Sequence, residues 1–249
     1  MHKTKTLRFL IMQKKIFLDD HPACNITFFL HVIFLLLTLQ NTAKAETDIN
    51  DFSDYPVDFS LSFSHSNLDL KQDTTIYSIN QRRISATLYD ISNPSLTAGV
   101  ILGSSYLSLN NDPVTAGFSL NGYHMGLAIN TFTRGNPKLG LHGSYLYQET
   151  EGSNNQRSIK MSWHEWLIET LFSISVTNHW GFNLGAGMSG VDTERRVSGD
   201  INETLRMKSN NGFQGKVEIE YHPYPSGRIS LMITRGIYEG TRLIFARTF

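Results

Sequence analysis

The chain has 249 residues, 22 acidic and 22 basic residues, and a single cysteine. A hydrophobic content of 40% is too high for a disordered chain, and one cysteine cannot build a disulfide framework. A formal net charge of zero gives no global basis for nucleic-acid binding, so no nucleic-acid partner is expected. The mean hydropathy of −0.22 argues against a multi-helix membrane protein, but not against a membrane β-barrel, in which only alternate residues face lipid.

The first 45 residues have the order of an export signal. Basic residues precede the apolar segment Ile26–Leu39, and the small residues Ala43 and Ala45 follow it. A membrane-spanning helix, the alternative, needs roughly 20 apolar residues, more than this segment offers. We therefore predict a signal peptide over 1–45, cleaved after Ala45, and a short periplasmic segment over 46–56.

Removal of this signal changes the composition of the chain. Residues 1–45 hold six of the 22 basic residues, two of the 22 acidic residues and the cysteine, Cys24. The remaining chain has a net charge of −4 and no cysteine. Without disulfide bonds, its fold must be held by its own topology.

Residues 57–249 alternate between apolar and polar side chains with a period of two, which is typical of β-strands. The clearest runs are Asp58–His65, Gly181–Gly190 and Phe213–His222. Weaker runs occupy 75–90, 96–109, 115–133, 138–148, 158–176, 228–235 and 241–249. The apolar side of run 115–133 changes near Asn121-Gly122, which predicts a β-bulge there.

The connections between these runs alternate between short turns rich in Pro, Gly and Asn and generally longer, more polar loops. Outer-membrane barrels have short periplasmic turns and longer outer loops. We therefore predict an all-β fold, a transmembrane antiparallel up-and-down β-barrel over 57–249. About ten strands are expected, with eight as the alternative and a secreted β-sandwich or lipocalin-like barrel as the soluble rival.

Aromatic residues near the ends of the runs are typical of the girdles at the two membrane interfaces. They are Tyr77, Tyr89, Tyr106, Tyr123, Tyr145, Tyr147, Trp163, Trp166, Trp180, Tyr221 and Tyr224. We expect them to face outward.

The last run is amphipathic and ends in an aromatic residue. Leu243, Phe245 and Phe249 occupy alternate positions of one face, with Arg247 between the last two. This pattern resembles the C-terminal assembly signal of bacterial outer-membrane proteins, from which Arg247 departs. The chain as a whole resembles small outer-membrane β-barrels of the OmpA-type or porin-like class over 57–249, without a specific family. The resemblance implies a bacterial outer-membrane location and recognition of the last strand by the barrel-assembly machinery.

Charged residues on the polar faces of the strands are expected inside the barrel. They are Asp58, Arg83, Glu165, Glu169, Lys216, Glu218, Glu220, Arg228 and Arg242. A narrow channel for ions or small solutes is one interpretation. Since an eight-stranded barrel is only wide enough for side chains to fill it, we favour an ion-paired polar core.

Six histidines of the exported chain allow an outer-membrane hydrolase as a third hypothesis. His124 and His142 lie on neighbouring runs, and a metal bound between them would lack a third ligand. The sequence contains no recognisable catalytic motif. A Ser-His group is identified by the arrangement of its side chains in space, which isolated Ser and His residues in a sequence do not show. We therefore predict no catalytic residues, no metal, no cofactor and no enzymatic activity.

The polar stretch Asp192–Asn211 is expected to form a hairpin above the outer leaflet. Four basic residues, Arg195, Arg196, Arg206 and Lys208, are candidates to pair with phosphates of lipopolysaccharide or other outer-membrane lipid; the alternative is an ordinary solvated loop. The predicted role is that of an integral outer-membrane barrel with a structural, surface-binding or weakly pore-forming function.

Overall fold

The computed structural model describes residues 56–93, 95–109, 112, 114–115, 117–209 and 212–249. The strands are β1 (Val57–Gln72), β2 (Thr75–Asp90), β3 (Leu96–Leu109), β4 (Leu120–Phe132), β5 (Lys138–Ser153), β6 (Arg157–Ser175), β7 (Trp180–Gly199), β8 (Glu203–Lys208), β9 (Gly212–Tyr224), β10 (Gly227–Arg235) and β11 (Tyr238–Thr248). Within the described ranges, no helix is long and apolar enough to cross a membrane. The predicted signal peptide, which includes Ala43 and Ala45, lies outside the described residues. The same holds for residues 46–55 of the predicted periplasmic segment 46–56.

Ten of these strands form a closed antiparallel ring. Consecutive strands pair from β1 to β7, β7 pairs with β9, and β10 and β11 follow. β11 then pairs with β1, from Asp58 opposite Thr248 to Leu68 opposite Tyr238. Closure pairs the edges that an open sheet would expose. The predicted antiparallel barrel is confirmed, with ten strands rather than eight in the ring.

β8 is an eleventh strand that extends the wall beyond the ring. The first half of β7, Trp180–Ser189, pairs with β9, whereas Asp192–Val197 pairs with β8. β8 in turn reaches β1, where Lys208 lies opposite Lys71. The predicted polar hairpin is therefore an extension of the barrel wall between β7 and β1.

The two ends of the barrel differ in their connections. One end, here the terminal end, holds Val57, Phe249 and the turns at 91–95, 133–137, 176–179 and 225–226. The other end, here the loop end, holds the β3–β4 connection and the β7–β8 extension. An even number of ring strands brings both termini of the barrel to the same end.

The predicted bulge near Asn121-Gly122 is absent from β4. The pairing of β3 with β4 runs without a shift from Leu96 opposite Thr131 to Leu107 opposite Leu120. A register shift lies instead between β9 and β10, near Gly227. The apolar side chains of run 115–133 change face without a bulge, because the surroundings of the strand differ between its two ends.

The apolar and polar faces exchange places along the strands. Towards the terminal end, β1 directs Phe59, Leu61 and Phe63 outward and serines inward. Towards the loop end, Leu68 and Leu70 of the same strand point inward and are at most 2% exposed. β4 repeats this exchange, because Leu120 points inward whereas Leu127 points outward and is 64% exposed.

The inward apolar side chains form a hydrophobic core near the loop end, here the loop-end core. They come from strands on all sides of the barrel, so they meet across the lumen. The buried members are Leu68, Leu70, Ile79, Leu107, Leu109, Leu120, Ile159, Met161, Trp163, Val191, Val197, Leu205, Met207 and Tyr238. Burial of this apolar area stabilises the loop end as the core of a water-soluble protein does.

Candidate functional site

The lumen of the barrel is the candidate site, and its polar layer lies between the loop-end core and the terminal end. Strand alternation places all nine predicted lumen charges on inward faces: Asp58, Arg83, Glu165, Glu169, Lys216, Glu218, Glu220, Arg228 and Arg242. These residues carry charges of both signs, and most of them lie close enough to an opposite charge to form an ion pair. The layer therefore contains both ion pairs and hydrogen bonds.

An ion pair between Arg83 and Glu165 lies directly below the loop-end core. The Arg83 Nη2 donates to Glu165 Oε2 at 2.7 Å, and Arg83 Nε donates to the Gln148 side-chain oxygen at 3.0 Å. The guanidinium also lies 5.4 Å from the ring centre of Trp163. Both charged side chains are largely buried, which is tolerated because each has a partner.

A second group of charges centres on β9. Arg228 lies 3.2 Å from Glu220 and 3.8 Å from Asp58, which joins β9, β10 and β1. The Ser230 hydroxyl donates to Glu218 at 2.6 Å.

Another inward pair links β9 to β6. Lys216 Nζ donates to Glu169 Oε1 at 2.5 Å. Together with the Arg228 group, this pair links β6, β9, β10 and β1 towards the terminal end.

Arg242 differs from the other inward charges. It occupies an inward position on β11, opposite Met232, but its side chain is exposed. Among the described residues it forms no ion pair. The exposure of this inward side chain indicates open space around Arg242 in the part of the lumen towards the terminal end, here the lower lumen.

The two histidines proposed as neighbours do not face one another. His124 lies opposite Gln148, whereas His142 lies opposite Asn130, six positions further along β4. The ring nitrogens of His124 lie 2.8 Å from the hydroxyls of Ser85 and Ser105. In the described part of the chain, no three His, Cys, Asp or Glu residues are grouped as a metal site would require.

A buried ion pair at the loop end was not predicted from the sequence. Asp112, from the β3–β4 connection, forms an ion pair with Arg195 on β7, and both side chains are at most 2% exposed. Arg195 Nη2 also donates to Glu203 on β8 at 3.0 Å. The prediction that Arg195 is available to lipid phosphates is therefore wrong, because its side chain points into the mouth and is buried there.

A second set of contacts lies at the loop end, where β6 and β7 are neighbours. The Arg157 guanidinium donates to both carboxylate oxygens of Asp200, at 2.5 and 2.8 Å, and Arg157 Nη1 donates to the carbonyl oxygen of Val114 at 3.3 Å. These bonds join the start of β6 to the β3–β4 and β7–β8 connections. The sequence indicates a polar connection here, but not the burial of Asp112.

The aromatic residues divide between the two faces of the wall. Tyr123, Tyr145, Trp180, Tyr221 and Tyr224 are outward and 39–59% exposed. The expectation of outward girdles is wrong for Trp163, which is 1% exposed in the loop-end core, and for the inward Tyr77 and Tyr89.

The predicted assembly signal lies on the outward face of β11. Leu243 and Phe245 are opposite Phe63 and Leu61 of β1. The rings of Phe245 and Phe63 meet edge to face, with centroids 6.5 Å apart. The Arg247 guanidinium lies 5.1 Å from the centre of the Phe249 ring, so this departure from the usual pattern is covered by a neighbouring aromatic.

No protein-family model matches the chain, and no curated protein matches it in sequence. Solved structures similar to the chain include the attachment invasion locus protein Ail of Yersinia pestis, at 10% identity and a TM-score of 0.39, covering 79% of this chain and 99% of Ail. The translocator domain of the autotransporter NalP from Neisseria meningitidis shares 7% identity with a TM-score of 0.48, covering 88% and 97%. The outer membrane protease OmpT from Escherichia coli shares 11% identity with a TM-score of 0.45, covering 82% and 96%.

These likenesses concern architecture, and they assign no activity. The closed antiparallel ring, the apolar outward belt and the polar lower lumen define the class on their own. The chain has the fold of a small outer-membrane β-barrel, of no specific family.

Proposed function

We propose that this protein is an integral outer-membrane barrel that presents a rigid surface outside the cell and does not conduct solutes. The observation that carries this proposal is the loop-end core, whose apolar side chains meet across the lumen from β1, β2, β3, β4, β6, β7, β8 and β11. A conducting barrel needs a continuous polar path. This lumen has a polar path only from the terminal end up to the level of Arg83 and Glu165.

The cost of removing charge from water opposes passage through the loop-end core. An unpaired ion in an apolar environment loses its hydration without compensation, which is prohibitively costly. The buried Asp112–Arg195 ion pair adds a second obstacle to passage at the loop end. The weakly pore-forming role and the narrow channel are therefore less well supported than a structural or surface-binding role.

The membrane position follows from the two surroundings of the wall. The outward apolar belt, with Leu127 and Ile168 more than 60% exposed, fits the hydrocarbon region. The loop end has polar outward residues and an apolar interior, which fits water. Because outer-membrane barrels have short periplasmic turns and longer outer loops, we infer that the loop end is outside the cell and the terminal end periplasmic. Export would use the predicted signal, and assembly would use Leu243, Phe245 and Phe249.

A hydrolytic role has less support. His124 is 1% exposed, and its ring nitrogens are held between two serine hydroxyls inside the polar layer. Such a histidine is out of reach of an external lipid or peptide. We propose that it stabilises the wall between β2, β3 and β4 and that the protein is not an enzyme.

Permeability tests the closed lumen. Liposomes containing the folded protein should not swell in small sugars faster than empty liposomes, whereas a known porin in a parallel sample should permit swelling. Swelling at a rate proportional to the amount of barrel would contradict the proposal.

Cysteine labelling tests the orientation, since the only cysteine of the chain lies in the predicted signal. Ser198→Cys, at the tip of the β7–β8 hairpin, should react with an impermeant maleimide on intact cells. Ser92→Cys, in the β2–β3 turn, is the matched control and should react only after lysis. The reverse pattern would overturn the assigned orientation.

A further inference from the structure

Two adjoining depressions lie on the outward face of β5, β6 and β7. The lower one is a largely apolar groove of about 340 Å³, lined by Leu141, Trp166, Ile168, Glu169, Thr170, Ala186, Gly187 and Met188. It exists because small residues interrupt the belt. A Cβ added to Gly143 would meet only Ile129, at 3.4 Å, and Ala186 adds little bulk beside it.

The upper depression lies on the same three strands, closer to the loop end. It has a volume of about 200 Å³ and is lined by Tyr147, Glu149, Lys160, Ser162, Glu194 and Arg196. Arg206 on β8 borders it, because it lies opposite Glu194 in the sheet. This depression is therefore polar and carries basic groups on two sides.

The two depressions follow one another along β6 and are separated by one row of side chains. Ser162 lines the upper one and Trp166 the lower one, and four residues of a strand span about 13 Å. Between them lies His164, whose Nδ1 is 2.5 Å from the Tyr145 hydroxyl. A polar site thus stands above an apolar groove across one aromatic row, as the head and tail of a lipid do.

The basic groups retain free donors. Arg196 and Arg206 each bond Glu194 through Nε, at 2.5 and 3.2 Å. Their terminal nitrogens have no partner among the described residues, and their side chains are 70% and 77% exposed. Exposed ion pairs contribute little to stability, so a phosphate group can engage these guanidinium groups at small cost.

We propose that this surface binds a phosphorylated lipid of the outer leaflet. An acyl chain occupies the groove beside Ile168 and Met188, and a phosphate contacts Arg196 and Arg206, with Lys160 at the rim. A soluble phosphate compound does not explain the groove, because the groove lies in the apolar belt. The inference rests on the proposed membrane orientation, which places these arginines at the level of the outer lipid headgroups.

The test uses the full exported barrel in detergent micelles and native mass spectrometry, titrated with diphosphorylated lipid A. Arg196→Ala with Arg206→Ala should weaken binding about tenfold or more, since two charged hydrogen-bonding groups are lost. The matched control, Arg82→Ala with Arg235→Ala, removes two outward arginines elsewhere and should bind as the unmodified barrel does. Arg196→Lys with Arg206→Lys should retain most of the binding.

Two further arms identify the ligand chemistry. Ala186→Leu fills the groove without changing charge and should weaken binding of lipid A, whereas inorganic phosphate should fail to displace it. Dephosphorylated lipid A should bind the unmodified barrel about as weakly as diphosphorylated lipid A binds the double alanine variant. Equal binding by the double alanine variant and its control, with heat-dependent gel mobility showing both folded, would overturn the lipid site. The cysteine-labelling and liposome-swelling results would be unaffected, so failure of the lipid site is distinct from failure of the proposed orientation or of the closed barrel.

Discussion

Arg195 and Asp112 form a buried ion pair that joins the β3–β4 connection to the wall strand β7. The pair lies at the edge of the loop-end core, where Arg195 also contacts Glu203 and lies 6.0 Å from the ring centre of Tyr77. A charged residue in such surroundings persists only with a partner. The pair therefore fixes the connection in the mouth of the barrel.

Removal of one partner of this pair should be costly. Asp112→Ala should lower the free energy of unfolding by about 1.5–3 kcal/mol, because Arg195 loses its buried partner and keeps only the partly exposed Glu203. Urea unfolding of the barrel in lipid vesicles measures this change. Arg195→Met combined with Asp112→Ala should recover much of the loss; a single variant as stable as the unmodified barrel would contradict the assigned role.

Two tryptophans of β6 allow a test of the two faces. Trp163 points into the loop-end core, whereas Trp166 points outward to the belt. Trp163→Ala should cost about 3–5 kcal/mol of unfolding free energy, because it leaves a cavity in a packed core. Trp166→Ala is the matched control and should cost less than half as much. Equal costs would mean that the loop-end core is not packed as described.

The buried pair Arg83–Glu165 should matter more than an exposed pair of the same type. Arg83→Met leaves Glu165 without its cation and should cost about 3–5 kcal/mol in vesicle unfolding. Lys208→Met breaks the exposed pair with Asp192, where both side chains are more than half exposed, and should cost about 0–1 kcal/mol. A loss of similar size for both variants would argue against the burial of the Arg83–Glu165 pair.

Titration of Asp200 tests its contact with Arg157 at the loop end. The hydrogen bonds from Arg157 lower the pKa of this carboxyl below its ordinary value of 3.8. Because the folded-state pKa is depressed, the contribution of the pair to stability is present above the unfolded pKa and is lost as the pH falls through the folded one.

Carbon-13 NMR of the labelled carboxyl should therefore show a midpoint below 3.8, and Arg157→Gln should raise it. The same midpoint in both proteins would show that Arg157 does not hold Asp200 in solution.

The strands were predictable from the sequence, and their environment was not. Period-two alternation located Asp58–His65, Gly181–Gly190 and Phe213–His222 within strands β1, β7 and β9. Alternation shows that one face of a strand is apolar and the other polar. It does not show whether each face contacts lipid, water or the protein interior. Near Asn121 the polarity of the faces reverses because the strand leaves the belt, and this reversal has the same sequence signature as a bulge.

Burial at the mouth depends on contacts distant in the chain. Arg195 lies in a run of charged residues, which by itself favours a solvated surface. Its partner Asp112 is in another connection, and no local pattern links the two. Trp163 likewise has the position of an interface aromatic, and only the convergence of eight strands at the loop end makes it part of a core.

Single-channel recording in planar bilayers tests the closed lumen most directly, because small ions are the smallest solutes that a pore must admit. The folded barrel, inserted at a density verified by labelled protein, should give no current steps above those of the bare bilayer. Reproducible steps that scale with the number of inserted barrels, and that persist with Asp112 and Arg195 intact, would contradict the account.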